Sequence, residues 1–198
     1  MKGRDDLTAL VGSRICHDLI SPLGAIGNGV ELMGLSGMAQ TPEMALIAES
    51  VANANARIRF FRVAYGGADP GQMIARAEIT GTLTAAARGG RLSYCWETDG
   101  DQPRQEVKAI FLLLQCFETA MPYGGDVRVR RISTGWEVEA DGERLRIDEA
   151  LWNGLVSPRA RPAVSAANVQ FALLPTALAE IGKSLALKLG PDRILARF

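Results

Sequence analysis

Leu7 to Leu35 is centred on Cys16-His17-Asp18-Leu19-Ile20-Ser21-Pro22-Leu23, and it holds the only histidine of the 198 residues. On a helix turning about 100° per residue, Leu7, Val11, Ile15, Leu19, Pro22, Leu23, Ile26, Val30 and Met33 fall into one apolar stripe. His17 lies on the opposite side, with Ser13, Arg14, Ile20, Ser21 and Gly24 within a turn of it and Gly27, Asn28 and Glu31 further along. The pattern predicts one packing face and one low, polar face from which a lone imidazole rises. Pro22 removes a backbone hydrogen bond inside that helix, and Gly24, Gly27 and Gly29 each lower helix propensity by roughly 1 kcal/mol relative to Ala. Local cost gathered at one place marks a place that is used.

Outward from this stretch, Gly34, Ser36 and Gly37 are stop signals, and Thr41-Pro42-Glu43 starts a second helix with an N-cap threonine and a first-turn proline. That helix is expected to run to Tyr65, with Met44, Ile47, Val51, Ala54, Ile58, Phe61 and Tyr65 inward, before Gly66 to Gly71 break it. Two long helices on a short turn form an antiparallel hairpin. One hairpin cannot cover both stripes, so residues 1–67 are expected to build a four-helix bundle with a second copy of the chain. Packing of the hairpin on the chain's own C-terminal half is the alternative.

Beyond the break the pattern changes. Helix is expected over Gln72 to Arg88, with Met73, Ile74, Ala77 and Leu83 inward, over Arg104 to Met121, and over Ser165 to Ile181. Strands are expected at Leu92 to Thr98, Val127 to Ile132, Trp136 to Ala140, Ser184 to Leu189 and Arg193 to Phe198, with another at Leu145 to Ile147. The fold class is therefore α+β, a helical hairpin followed by an α/β sandwich over residues 72–198.

Composition narrows the chemistry. Lys plus Arg equals Asp plus Glu at 22 each, which gives no basic excess for nucleic acid. Cys16, Cys95 and Cys116 are scattered and odd in number, so reduced thiols in a cytoplasm fit better than disulfides or a metal centre. No apolar run is long enough to span a bilayer. No metal, cofactor or membrane is expected.

His17-Asp18-Leu19-Ile20-Ser21-Pro22-Leu23 resembles the phospho-accepting H-box of two-component histidine kinases, with an acid after the histidine and Pro-Leu five and six residues on. The longer run from Arg14 to Ile26 is more similar to ChpT-type histidine phosphotransferases. The resemblance implies a Bergerat-like, histidine-kinase ATPase-like second domain in which the nucleotide boxes are degenerate. Thr119 stands where the kinases' metal-holding asparagine belongs, and Asp141-Gly142-Glu143-Arg144 is what remains of the adenine box. Ala166 to Phe171, without a glycine, replaces the phosphate-binding turn. No ATP is expected to bind.

The resemblance further implies that His17 carries a phosphoryl group between receiver-domain aspartates, from a hybrid histidine kinase upstream to response regulators downstream, with Mg²⁺ supplied by the receiver. Asp18 would orient His17 or take its proton, Arg14 would meet phosphoryl oxygens, and Ser21 would hydrogen-bond the phosphoryl group one turn later. Arg14 and Asp18 also read as a plain solvated i,i+4 pair. Ile20, Gly24, Gly27 and Asn28 are assigned to receiver docking. A non-catalytic dimeric scaffold and an ATP-dependent kinase with diverged boxes are the competing functions.

Overall fold

The computed structural model describes residues 2–35, 41–157 and 163–198, and side chains in the first helix from Leu10 onward. The chain divides into two compact units, Met1–Gly67 and Ala68–Phe198. The Ser36-Gly37 turn and the side chain of Leu7 lie outside the described residues.

The first unit is an antiparallel pair of helices, α1 (Lys2–Leu35) and α2 (Pro42–Tyr65). α1 runs through Pro22 as one helix. α2 starts where its local chemistry says it should: Thr41 Oγ1 accepts from the Met44 amide at 3.3 Å, and Pro42 follows at the first position. The contact between the helices is built on small residues of α1. A Cβ placed on Gly12 would meet the Tyr65 carbonyl oxygen at 3.2 Å, and one on Gly27 would meet Val51 at 3.4 Å. Cys16, on the same face, is buried. The face that α1 turns toward α2 is thus displaced from the predicted stripe. Val11, Ile15, Leu19, Ile26 and Met33 remain exposed, while Leu23 and Val30 are half-buried.

The second unit is a two-layer α/β structure. Its main sheet has five strands in the order β2 (Leu92–Trp96), β4 (Gly125–Ile132), β5 (Gly135–Asp141), β7 (Arg193–Arg197) and β6 (Ala186–Leu189). Only β2 and β4 run parallel, joined through α4 (Arg104–Ala120), as a parallel pair requires a crossover. The remaining neighbours are antiparallel. A small pair, β1 (Met73–Ile74) with β3 (Gln102–Pro103), brackets α3 (Arg76–Arg88). The period-2 alternation works as read: Val127, Val129, Val138, Ala140, Ile194 and Ala196 are buried with Ile110 to Leu114 of α4.

The opposite face of that sheet is charged. Glu137 lies between Arg130 and Arg197, whose Nε donates at 2.6 Å, and Glu139 pairs with Arg193. Burial pushes the Glu137 carboxyl up, and the two guanidinium groups more than reverse this, holding it below the usual carboxylate range.

Three expectations are corrected. Helix does not begin at Gln72: Met73 and Ile74 are a strand with Met73 exposed, and Ala77 also faces solvent. No strand forms at Leu145 to Ile147; instead Asp148 caps α5 (Glu149–Val156) by accepting from the Ala150 and Leu151 amides at 3.1 and 3.2 Å. The last helix is split, with a 3₁₀ turn at Ala166–Asn168 before α6 (Gln170–Glu180). Among the described residues no helix is long and apolar enough to cross a membrane.

Candidate functional site

Helical spacing puts Arg14 and Asp18 one turn apart and His17 beside them, and the side chains join. Asp18 accepts from Arg14 Nε at 2.7 Å through one oxygen and from His17 Nδ1 at 3.1 Å through the other. Its carboxyl is held below the ordinary aspartate value by the hydrogen bond from His17 first and that from Arg14 second. An ionised carboxylate can only accept, so Nδ1 donates to Asp18, and in the neutral form of the ring the lone pair is then on Nε2. The His17 side chain is 83% exposed.

The other residues singled out in the sequence divide. Ser21 and Asn28 are exposed on the His17 side of α1, and Ile20 is half-buried. Gly24 has open space where a side chain would stand, which leaves its surface available to another molecule. Gly27 does not share that freedom: its open side is filled by Val51, so it belongs to the packing of α1 on α2 and not to a docking surface. Cys16, next to His17, is buried. Burial pushes its thiol up, against a smaller opposing pull from the Arg62 charge.

Sequence reasoning missed a contact one turn before His17. The amide of Gly67 donates to Ser13 Oγ at 3.2 Å, across 54 positions of chain. The small-residue spacing Gly12, Cys16, Gly27 was the available signal, since such rows let a second backbone approach closely.

In the second unit, two of the three positions compared with nucleotide boxes meet. Thr119 Oγ1 donates to the Gln115 carbonyl at 3.0 Å and accepts from Gln170 Nε2 at 3.2 Å, which ties α4 to the start of α6. Gln170 is buried. Beside this bond, Trp152 of α5 stacks on Phe117 of α4 with ring centres 6.0 Å apart and meets Phe171 of α6 edge-on at 5.7 Å. Among the described residues, no three His, Cys, Asp or Glu side chains converge as a metal site.

Residues 76–193, more than half of the chain, match the family model of the histidine phosphotransferase C-terminal domain. The protein phosphotransferase ChpT of Brucella abortus (strain 2308) is 41% identical over 129 residues, a stretch that covers 63% of this chain and 60% of that protein. The solved structure of a bacterial phosphotransferase superposes with a TM-score of 0.68 at 32% identity, over 96% of this chain and 94% of the other. The family model falls on the second unit, while the histidine stands in the first; the structural match spans both. The chain belongs to the histidine phosphotransferase family.

Proposed function

We propose that this chain relays a phosphoryl group between receiver-domain aspartates through His17. The observation that carries the reading is the Arg14–Asp18–His17 chain on an exposed helix face, with Nδ1 engaged and the ring 83% exposed. In the forward step Nε2 attacks the phosphorus of a receiver's aspartyl phosphate. The P–N bond forms as the P–O bond breaks, and the electron pair leaves with the receiver's carboxylate. The imidazole ring then carries a positive charge, which Asp18 balances across the Nδ1 hydrogen bond. In the second step the carboxylate of another receiver attacks, the P–N bond breaks, and neutral His17 is restored.

Such a transfer needs in-line positioning and charge neutralisation more than covalent machinery. Arg14 supplies part of that neutralisation, through terminal guanidinium nitrogens directed at the phosphoryl oxygens, and Ser21 donates to the same group from the next turn. Mg²⁺ comes with the receiver. Ile20, Gly24 and Asn28 form the surface on which the receiver rests. The upstream donor is the receiver of a hybrid histidine kinase, and the downstream acceptors are response regulators.

Two further parts of the reading rest on separate observations. The exposed apolar side chains Val11, Ile15, Leu19, Ile26 and Met33 support a four-helix bundle with a second copy, since a contiguous row of this kind on a helix belongs in an interface. Three unpaired cysteines support a reducing cytoplasm. The second unit is read as a domain that does not use ATP, because Gln170, Trp152 and Phe171 fill the side of α4 on which a nucleotide's metal and phosphates would rest.

Incubation with a phosphorylated receiver tests the central claim. Wild type should take up acid-labile label and His17→Ala none, with helicity unchanged because His17 packs against nothing. Label on His17→Ala would place the acceptor elsewhere, and an unlabelled wild type would leave a scaffold.

A further inference from the structure

We propose that Ser13 is a positioning residue for phosphoryl transfer, its hydroxyl holding the exit of the hairpin against the helical turn that carries His17. The inference rests on the phosphotransfer reading above. Ser13 precedes His17 by one turn of α1, and its Oγ accepts the Gly67 amide at 3.2 Å. The packing around that bond is arranged to let it form. Gly12 admits the Tyr65 carbonyl oxygen to 3.2 Å and the Tyr65 Cβ to 3.4 Å of where its own Cβ would be. A Cβ on Gly66 would strike the Arg62 carbonyl oxygen and press on Ser13 Oγ at 3.3 Å. A side chain at Gly12 would press on the end of α2, and one at Gly66 would break the last turn of α2 that carries Gly67 to Ser13. Gly67 itself has open space around it, so its contribution at this point is its N–H and not its lack of a side chain.

The position of the bond in the chain gives it a consequence. Gly67 closes the first unit and Ala68 opens the second. Fixing Gly67 removes backbone freedom at the end of the hairpin, one turn of α1 from His17. A receiver that binds beside His17 then meets a hairpin end already fixed, and loses less entropy on binding. The Arg14–Asp18–His17 hydrogen bonds do not pass through Ser13. Loss of the Ser13 bond should therefore weaken capture of the receiver and leave the chemical step alone.

The test is the rate of transfer from a phosphorylated receiver as a function of its concentration, for wild type, Ser13→Ala, Ser13→Thr and Gly67→Ala. Ser13→Ala should raise KM about three- to tenfold, the range of one hydrogen bond, with kcat within about twofold of wild type. Ser13→Thr, which keeps the hydroxyl, should restore KM, and Gly67→Ala, which keeps the amide, should behave as wild type. Hydrogen exchange should be faster at the Gly67 amide in Ser13→Ala than in wild type. A Ser13→Ala protein with unchanged KM and only a lower melting temperature would overturn the positioning role, as would a fall in kcat at constant KM. If wild type transfers no label at all, the phosphotransfer reading itself fails, and exchange at Gly67 still reports whether the clasp exists.

Discussion

Asp18 accepts a guanidinium on one oxygen and an imidazole on the other, so its charge and its geometry contribute together. Asp18→Asn separates them: the amide oxygen still accepts from Nδ1, but it no longer balances the ring charge that builds during transfer. Transfer should slow about tenfold, the scale of one charge-assisted hydrogen bond, while the melting temperature moves little at this exposed site. An unchanged rate would return Asp18 to a solvated partner of Arg14. The direction of its shift sets the pH window. A carboxyl held below its ordinary value stays ionised through neutral and mildly acid pH, and its contribution disappears only as pH falls through the lowered value. The ratio of wild-type to Asp18→Asn rates should therefore be flat from pH 7 down to about 4, the ordinary aspartate range. Arg14, His17 and Asp18 were legible in the sequence because a helix places i, i+3 and i+4 by itself. Ser13 was not, since its partner is 54 residues away and nothing local specifies the pairing.

At the scale of elements, legibility followed the range of the interactions. α2 begins at Pro42 because Thr41, Pro42 and Glu43 are adjacent and their capping chemistry needs nothing else. β4 and β5 were readable from alternation and a short turn. β1 was not, because its two residues become a strand only by pairing with Gln102 and Pro103, far along the chain. α5 carried a legible cap in Asp148 but also Gly154 in its interior, and the alternating Leu145 and Ile147 before it imitated a strand. Two predictions belong here. Glu137 is buried on the open face of the sheet between Arg130 and Arg197, and its carboxyl is held below the usual range. Its stabilising effect is complete above the unfolded glutamate pKa and is lost as pH falls through the lowered folded value. Glu137→Gln should cost about 1–2 kcal/mol at pH 7, less than a fully buried pair because both arginines are half-exposed. In thermal melts the gap from wild type should close as pH drops below about 4; a gap that stays constant with pH would mean that packing, not charge, carries the effect. The α4–α6 closure makes the second prediction. With Gln170 bonded to Thr119 and Trp152 wedged between Phe117 and Phe171, calorimetry with Mg²⁺ and ATP should register no heat of binding. A micromolar dissociation constant would revive an ATP-dependent kinase.

For the whole molecule, the unanswered question in the sequence was which face of α1 meets α2 and which is left over. Periodicity identified an apolar stripe but could not divide it, because a helix can be apolar toward one neighbour and merely small toward another. In the structure the small residues Gly12, Cys16 and Gly27 meet α2, and Val11, Ile15, Leu19, Ile26 and Met33 stay in the open. A second copy placed on that open row would bury it under a two-fold axis, where each residue faces its own equivalent or a near neighbour. Such an arrangement keeps both His17 residues outside, since His17 lies on the far side of α1 from the row. Ile26, near the middle of the row and 49% exposed in a single chain, is the residue to change. Ile26→Asp would bury two like charges near the axis with no partners, at a cost of several kcal/mol. Ile26 is half exposed in the hairpin, so the expected product is a folded single chain: half the mass by light scattering, with the second unit's melting transition retained. Single chains should also accept phosphoryl groups more slowly if a receiver touches both copies, and at an unchanged rate if it rests on one. A wild type that scatters as a monomer would remove the bundle, and an Ile26→Asp protein that remains a dimer would put the interface on another face.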